Sequence, residues 1–462
     1  MTAYQPEGLL GKWNPRLYLT GAAFLWFLLW AGINTGPWNL DLTYIASGWK
    51  GLFNGVRAAF PLAMLVVWLM NPMRGRTRRR NLSLPEALWL WYMVVCLISS
   101  VNTKVDGPWF SWGYWGLSYL GTFAAVDIYM QGSESFSRAG ELNRLSWLFC
   151  SAVLLTVVFV ARGQLLAKTS MGVSGYGVLN RMPTVAGMVM VRANGISRMA
   201  AIPAIVAFVG FWEGRGLRRL LWLAVFVSCF YLVWVMQCRG STSSLAMAMA
   251  VVMILLDGRA RRLGWTLIAA AILIYIGGFV PDDTIHHYYR YATRGQQGKR
   301  LESMSGRDRI FRVTLDKITE APFLGYGPQA DRQFLEIGNA QNGPLYALLC
   351  GGVIGGVGYV SGLLLSWIML IQALRWRSLL GDSERKTLLI VTGVMAFLTM
   401  RNIPENCAAL YSVDLLLQLP ALVYIGELNR VLKLANETVW ARHSTQTEIA
   451  EPAAAYTASV RA

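Results

Sequence analysis

Two arginines stand where helix stability disfavours them. In "GRDRIFRVTLDKITEAPFLGYGP" (306–328), Arg307 and Arg309 open a stretch of helical spacing, although the backbone dipole is already positive at a helix N-terminus. Ser305 is a candidate N-cap, with Asp308 three residues on as a weak capping box. Ile310, Phe311, Leu315 and Ile318 recur on one side and Pro322 stops the run, which predicts a short amphipathic helix. "LGYGP" then supplies a glycine-permitted turn. Free amides and guanidinium forks gathered at one spot suit a phosphate. The plainer alternative is that Asp308 neutralises its neighbours.

Other cations raise the same question. "CRGSTSSLA" (238–246) sets Arg239 between two apolar runs with almost no loop. An ionisable group at that depth is costly unless it is paired, faces a wet cavity or snorkels to the interface. "RNIPEN" (401–406) carries Arg401 and Glu405, which could pair with each other or with Arg239. Residues 161–195 hold Arg162, Lys168, Arg181 and Arg192 with no acidic residue. Unopposed cations of this kind fit a bound anion, or solvated charges facing lipid headgroups.

The elements that must position these residues are membrane helices. The chain has 462 residues, 55% hydrophobic and only 15% charged, too apolar for a soluble domain. Apolar runs near 17–37, 56–70, 84–101, 112–130, 145–160, 196–212, 219–237, 240–256, 263–280, 343–371, 388–401 and 409–426 predict about twelve crossings. No cleavage site follows the first, so it is read as a retained helix. The basic segments "MRGRTRRR" (73–80), "EGRGLRR" (213–219), "DGRARR" (257–262) and "RWRSLLGDSERK" (375–386) then all fall on the cytoplasmic side. Much of the net charge of +17 is thereby a topology signal, and nucleic-acid binding is not needed. The same topology puts 161–195, Arg239, the long loop 281–342 and 401–406 on the outer side. The expected class is an all-α polytopic membrane protein. Helices one to nine occupy 1–280, a long periplasmic loop with short amphipathic helices follows, the last three helices lie in 343–427, and 428–462 is a cytoplasmic tail.

The order of "CRGSTSSLA", "GRDRIFRVTLDKITEAPFLGYGP" and "QNGPLYALLCGGVIGG" (341–356) resembles the O-antigen ligase and Wzy polymerase superfamily over about residues 235–360. That resemblance implies a glycosyltransferase of the bacterial inner membrane, with its active site facing the periplasm. Its donor would be a glycan linked to undecaprenyl pyrophosphate, and its acceptor a sugar hydroxyl on a growing polymer or on lipid A core. Carried over, Arg239 and Arg307 would contact the pyrophosphate, whose developing charge fixed cations can stabilise. With Glu405 they are the catalytic candidates. Arg309, Arg312, Arg162, Lys168, Arg181, Arg192, Gln341, Asn342 and Arg401 are the candidates for binding substrate. No His/Asp/Glu cluster has ligand spacing, so neither metal nor other cofactor is expected. A chain-length regulator is a candidate partner beside the bilayer.

One departure matters. The ligases carry histidine where this chain has Gln341, and glutamine cannot remove a proton from a hydroxyl. His286, His287, Asp282, Asp283 and Glu405 are the outer-side alternatives, and the gap tilts the expectation from ligase toward polymerase. A flippase is the competing class, but the cations concentrate at one face and no repeat is visible. The six cysteines contain no C-x-x-C pair; Cys238 and Cys407 are near enough to the outer face to consider a disulfide. "DGPWFSWGYWG" (106–116) could be interfacial packing or a platform for sugar rings.

Overall fold

The computed structural model describes residues 21–33, 48–70, 80–102, 109–131, 135–165, 168–169, 172–173, 193–256, 258, 261–262, 264–266, 307–335 and 339–435. In chain order these form α1 (Gly21–Ala31), α2 (Gly48–Met70), α3 (Leu84–Ser99), α4 (Trp109–Tyr129) and α5 (Ser135–Leu165). A minimal antiparallel hairpin follows, β1 (Lys168–Thr169) with β2 (Gly172–Val173). Then come α6 (Ala193–Glu213), α7 (Leu217–Val235), α8 (Arg239–Leu255), α9 (Arg307–Glu320), α10 (Asp331–Phe334), α11 (Gly343–Arg375) and α12 (Asp382–Arg401), and finally α13 (Val413–Ala435). Eleven of the twelve expected apolar runs contain a helix; the ninth, 263–280, lies largely outside the described residues.

Length and composition qualify six of these helices to cross a membrane: those in 84–102, 135–159, 193–213, 217–235, 343–375 and 413–435. This is a multi-pass helical membrane protein. Among the described residues twelve crossings are not reached on that criterion, and for three of the helices the reasons are local. α8 is 17 residues long and opens on Arg-Gly-Ser-Thr-Ser-Ser, α12 opens on a charged turn, Asp-Ser-Glu-Arg-Lys, and α4 is diluted by glycine, serine and tyrosine.

α3 packs along α11, α6 along α7, and α8 along α12. α13 is the most enclosed of the six, with 78% of its apolar window buried, and α7 the most peripheral, with 11%. Polar side chains sew one end together. Arg80 bonds Glu86 at 2.5 Å and Glu427 at 3.2 Å, and Glu427 also accepts from Ser135. Arg144 reaches Ser383, and Arg377 reaches the carbonyl of Leu255 at the end of α8. This end gathers the described parts of the basic segments. Helices of 17 to 21 residues separate it from the opposite end by about 25–30 Å.

The described part of the long connection before α11, residues 307–335 and 339–342, is not a free loop. α11 breaks at Gly352, where φ is +58° and ψ −164°, and a broken helix strands carbonyls and amides that lipid cannot satisfy. The segment 322–327 satisfies them. Tyr326 and Gly327 amides donate to the carbonyls of Leu349 and Cys350, at 3.0 and 2.8 Å, while Val353 and Ile354 amides donate to Pro322 and Phe323. "PFLGYG" is therefore a backbone plug in a split helix, where a simple turn was expected. α9 precedes it and buries Ile310 and Thr314, with Val313 and Ile318 against the core. Leu315, expected on that face, is 47% exposed.

Two further expectations are corrected. Cys238 and Cys407 are buried thiols and form no disulfide; Cys238 Sγ lies 3.2 Å from the carbonyl of Met236. Trp112 and Trp115 of the aromatic segment are each 1% exposed, with Trp115 packed near Tyr411, so they are core and cannot stack on a glycan.

Candidate functional site

The site is built on the turn that follows α12, residues 402–412. Tyrosines from the core fix it. Tyr92 donates its hydroxyl to the carbonyl of Ala409 at 2.8 Å, and the Tyr359 hydroxyl lies 3.1 Å from Asn402 Oδ1 and 2.5 Å from the carbonyl of Cys407. The start of α11 then interlocks with this turn. Gly343 and Asn342 amides donate to Asn402 O and Asn406 Oδ1. Asn342 caps α11 by accepting from the Leu345 amide, and its Nδ2 donates to Ile403 O at 2.9 Å. Asp331 accepts from the Ala340 amide and from Asn406 Nδ2, both at 3.1 Å. Burial pushes the Asp331 carboxyl above the usual carboxylate range, against the pull of Arg332 and of these donors.

Arg307 heads α9 beside this assembly. Its Nε donates to Gln341 Oε1 at 2.7 Å, and its Nη2 lies 3.8 Å from Glu405 Oε1. Asn194, in the first turn of α6, donates to the same Glu405 oxygen at 3.2 Å. Gln341 holds φ at +50°, a left-handed conformation that costs a non-glycine residue roughly 1–2 kcal/mol. Strain of this kind persists where the surroundings over-determine it.

Arg239 heads α8, and its first turn lies against the same 402–406 turn. A Cβ on Gly240 would stand 3.3 Å from Pro404 Cγ, and Ser241 Oγ accepts from Arg401 Nη1 at 3.0 Å. The helices bearing Arg239 and Arg307, about 70 residues apart in sequence, thus converge on one short stretch. Arg239 itself is half-buried.

Arg401 points inward and is 3% exposed. It does not pair with Glu405 in an ion pair of its own; its Nη2 lies 3.9 Å from Asp414 Oδ2, to which Arg198 donates at 3.0 Å. Asp414, with 3% of its side chain exposed, joins α6, α12 and α13 in one Arg–Asp–Arg group whose carboxylate and Arg401 are buried. Removing the central carboxylate takes the partner from a buried guanidinium, Arg401, and a partly buried one, Arg198, which costs about 3–5 kcal/mol. Asp414→Ala is therefore expected to fall out of the membrane fraction or melt far below the parent in detergent, whereas Asp308→Ala, at an exposed pair, shifts melting by less than about 1 kcal/mol equivalent.

The other expected site residues are placed as follows. Arg309 and Arg312 lie on the exposed face of α9, Arg309 about 200° round the helix from Arg307, and Arg312 is paired with Asp308 at 3.1 Å. Arg162 is exposed, its guanidinium 4.9 Å from the Phe159 ring centroid. Lys168 sits on β1, opposite Val173. Arg181, Arg192, Ser305, His286, His287, Asp282 and Asp283 lie outside the described residues. Among the described residues no three His, Cys, Asp or Glu side chains group closely enough to hold a metal ion. Burial first, and then Asp414, push the Cys407 thiol up, so it does not offer a thiolate.

Asn194, Arg198, Asp331, Asn406 and Asp414 were not singled out from sequence. Arg198 and Asp414 did carry a signal, since each is an ionisable residue within or at the edge of an apolar run.

Fold and site together define a multi-pass helical membrane protein with arginines gathered at one end. Residues 224–360 match the family model for O-antigen ligase, which supports the resemblance of that segment to the O-antigen ligase and Wzy polymerase superfamily. The match includes Arg239, Arg307, Gln341 and the split helix at Gly352, and stops short of Glu405. No curated protein and no solved structure matches the chain.

Proposed function

We propose that this chain is a membrane glycosyltransferase that polymerises oligosaccharide repeat units from an undecaprenyl-pyrophosphate donor, in exopolysaccharide, capsule or O-antigen synthesis. The convergence of Arg307 and the Arg239-bearing helix on the Glu405 turn carries this reading. In the reaction an acceptor hydroxyl attacks the anomeric carbon of the donor. The bond from that carbon to the pyrophosphate oxygen breaks, its electron pair leaves with the diphosphate, and the hydroxyl proton passes to a base. Arg307 and Arg239 stabilise the departing charge, and Glu405, the carboxylate 3.8 Å from Arg307, receives the proton. Gln341 holds the guanidinium through its amide oxygen, a positioning role. Arg309, Arg312 and the cations of 161–192 add a field that attracts the anionic donor, and Asn342 fixes the turn that carries Glu405. Twelve crossings with an inside N-terminus set this end toward the periplasm. The gathering of the basic segments at the opposite end supports that orientation.

A ligase using the same chemistry is the second reading, favoured by the description of the matching family. Purified protein in detergent, given lipid-linked repeat units and lipid A core together, separates them. Lengthened glycan on the lipid carrier is the expected product; transfer to lipid A core without lengthening selects the ligase. Detergent has no compartments, so no glycosidic bond formed in either arm would leave only transport and overturn both.

A further inference from the structure

A second cationic feature lies at the far end of α7 from Arg239, where α6 turns into α7 beside the first turn of α12. A cleft of about 810 Å³ opens there, within the range of small-ligand sites. Its rim is Arg215, Arg218 and Lys386, and its wall is Leu221, Trp222 and Val225. Glu213, also in the lining, faces Arg385 at 4.0 Å. Lys386 Nζ stands 5.4 Å from the Trp222 ring centroid, so the cationic rim and the aromatic wall are in contact.

Local helix physics points to an anion. α7 begins after Gly216 with no side-chain cap and no acidic residue in its first turn, yet Arg218 and Arg219 stand in that turn. Cations at the positive end of a helix dipole are unfavourable alone and favourable when an anion sits among them. The wall says which anion. α7 has only 11% of its apolar window buried, and Leu217, Leu220 and Leu221 are 73%, 61% and 60% exposed. The wall of the cleft therefore runs without a break into a surface that faces acyl chains, which a free inorganic ion would not use.

We propose that this cleft binds an anionic phospholipid, with the headgroup phosphate held between Arg215, Arg218 and Lys386 and an acyl chain lying on Leu221 and Val225 of α7. The site is separate from the arginines at the other end and does not depend on glycan transfer.

The test uses the full chain, delipidated in neutral detergent. Phosphatidylglycerol or phosphatidylcholine is added, and retained lipid is read by native mass spectrometry, with melting temperature alongside. Phosphatidylglycerol is expected to be retained and to raise the melting temperature of the parent, phosphatidylcholine to do neither, and excess inorganic phosphate to leave the retained lipid in place. Arg218→Gln with Lys386→Gln should weaken retention by roughly tenfold or more. Arg261→Gln with Arg262→Gln, at exposed arginines outside the cleft, should change it by less than about twofold. Equal stabilisation of the parent by both lipids overturns the proposal without any variant. Displacement by phosphate makes it a free-anion site, equal loss in the control variant makes it diffuse surface charge, and unchanged retention in the cleft variant removes the site.

Discussion

Arg307→Ala is expected to stay in the membrane at parental levels and to lose glycan transfer by about 10²- to 10³-fold, the usual loss when one fixed donor to a developing anion is removed. The two halves of that expectation come from different features of the same side chain. Its ion pair with Glu405 is long, 3.8 Å, and both partners are about a quarter exposed, so the pair adds at most about 1 kcal/mol to stability. α9 is held instead by Ile310 and Thr314, which the substitution leaves alone. What disappears is the guanidinium that Gln341 and Glu405 jointly aim. Arg307→Lys keeps the charge but cannot repeat a fork that serves two partners, so it should recover only part of the activity. Arg239→Ala should behave like Arg307→Ala. The measurement is chain length of lipid-linked glycan made by purified protein, with membrane levels checked by immunoblot. Parental chain lengths from either alanine variant would remove the assignment of the arginines.

Gly352→Val is expected to abolish accumulation of folded protein, a loss of at least about 4 kcal/mol, in the range reserved for backbone strain and core disruption. A Cβ at this position would lie 2.1 Å from the carbonyl oxygen of Phe323 and 2.5 Å from the Leu324 nitrogen. Those are backbone atoms of the plug, so no side chain can swing aside. The φ of +58° with ψ of −164° adds a conformation essentially confined to glycine. Expelling 322–327 would also leave carbonyls of α11 and amides beyond the break without partners inside the bilayer. Gly21→Ala serves as the control: nothing lies within 4 Å of the added atom, and the variant should melt within about 1 kcal/mol equivalent of the parent. Normal yield and monodispersity of Gly352→Val in detergent would show that the plug is not what closes the split helix.

The membrane class and the residues worth testing were both legible in the chain. Runs of apolar residues specify helices whatever their neighbours do, because lipid forces each backbone to satisfy itself. Cations placed against the helix dipole in "GRDRIF" stand out by the same local logic. The packed face of α9 was read less well. Leu315 continues the apolar spacing yet faces outward, while Thr314 is buried by donating its hydroxyl to Ile310 O at 2.7 Å. A satisfied hydroxyl is as acceptable inside as a methyl group, and periodicity alone does not see that.

By itself the sequence determined a many-helix membrane protein, basic segments for one end, and arginines at 239 and 307 as residues to test. Only the tertiary structure decided that Arg401 turns inward to Ser241 and Asp414, that Gln341 grips Arg307, and that "PFLGYG" enters the break in α11. Those outcomes rest on partners 13 to 160 residues away in the chain. The energy of a buried charge or a broken helix depends on which distant groups arrive to satisfy it, and local spacing carries no record of them.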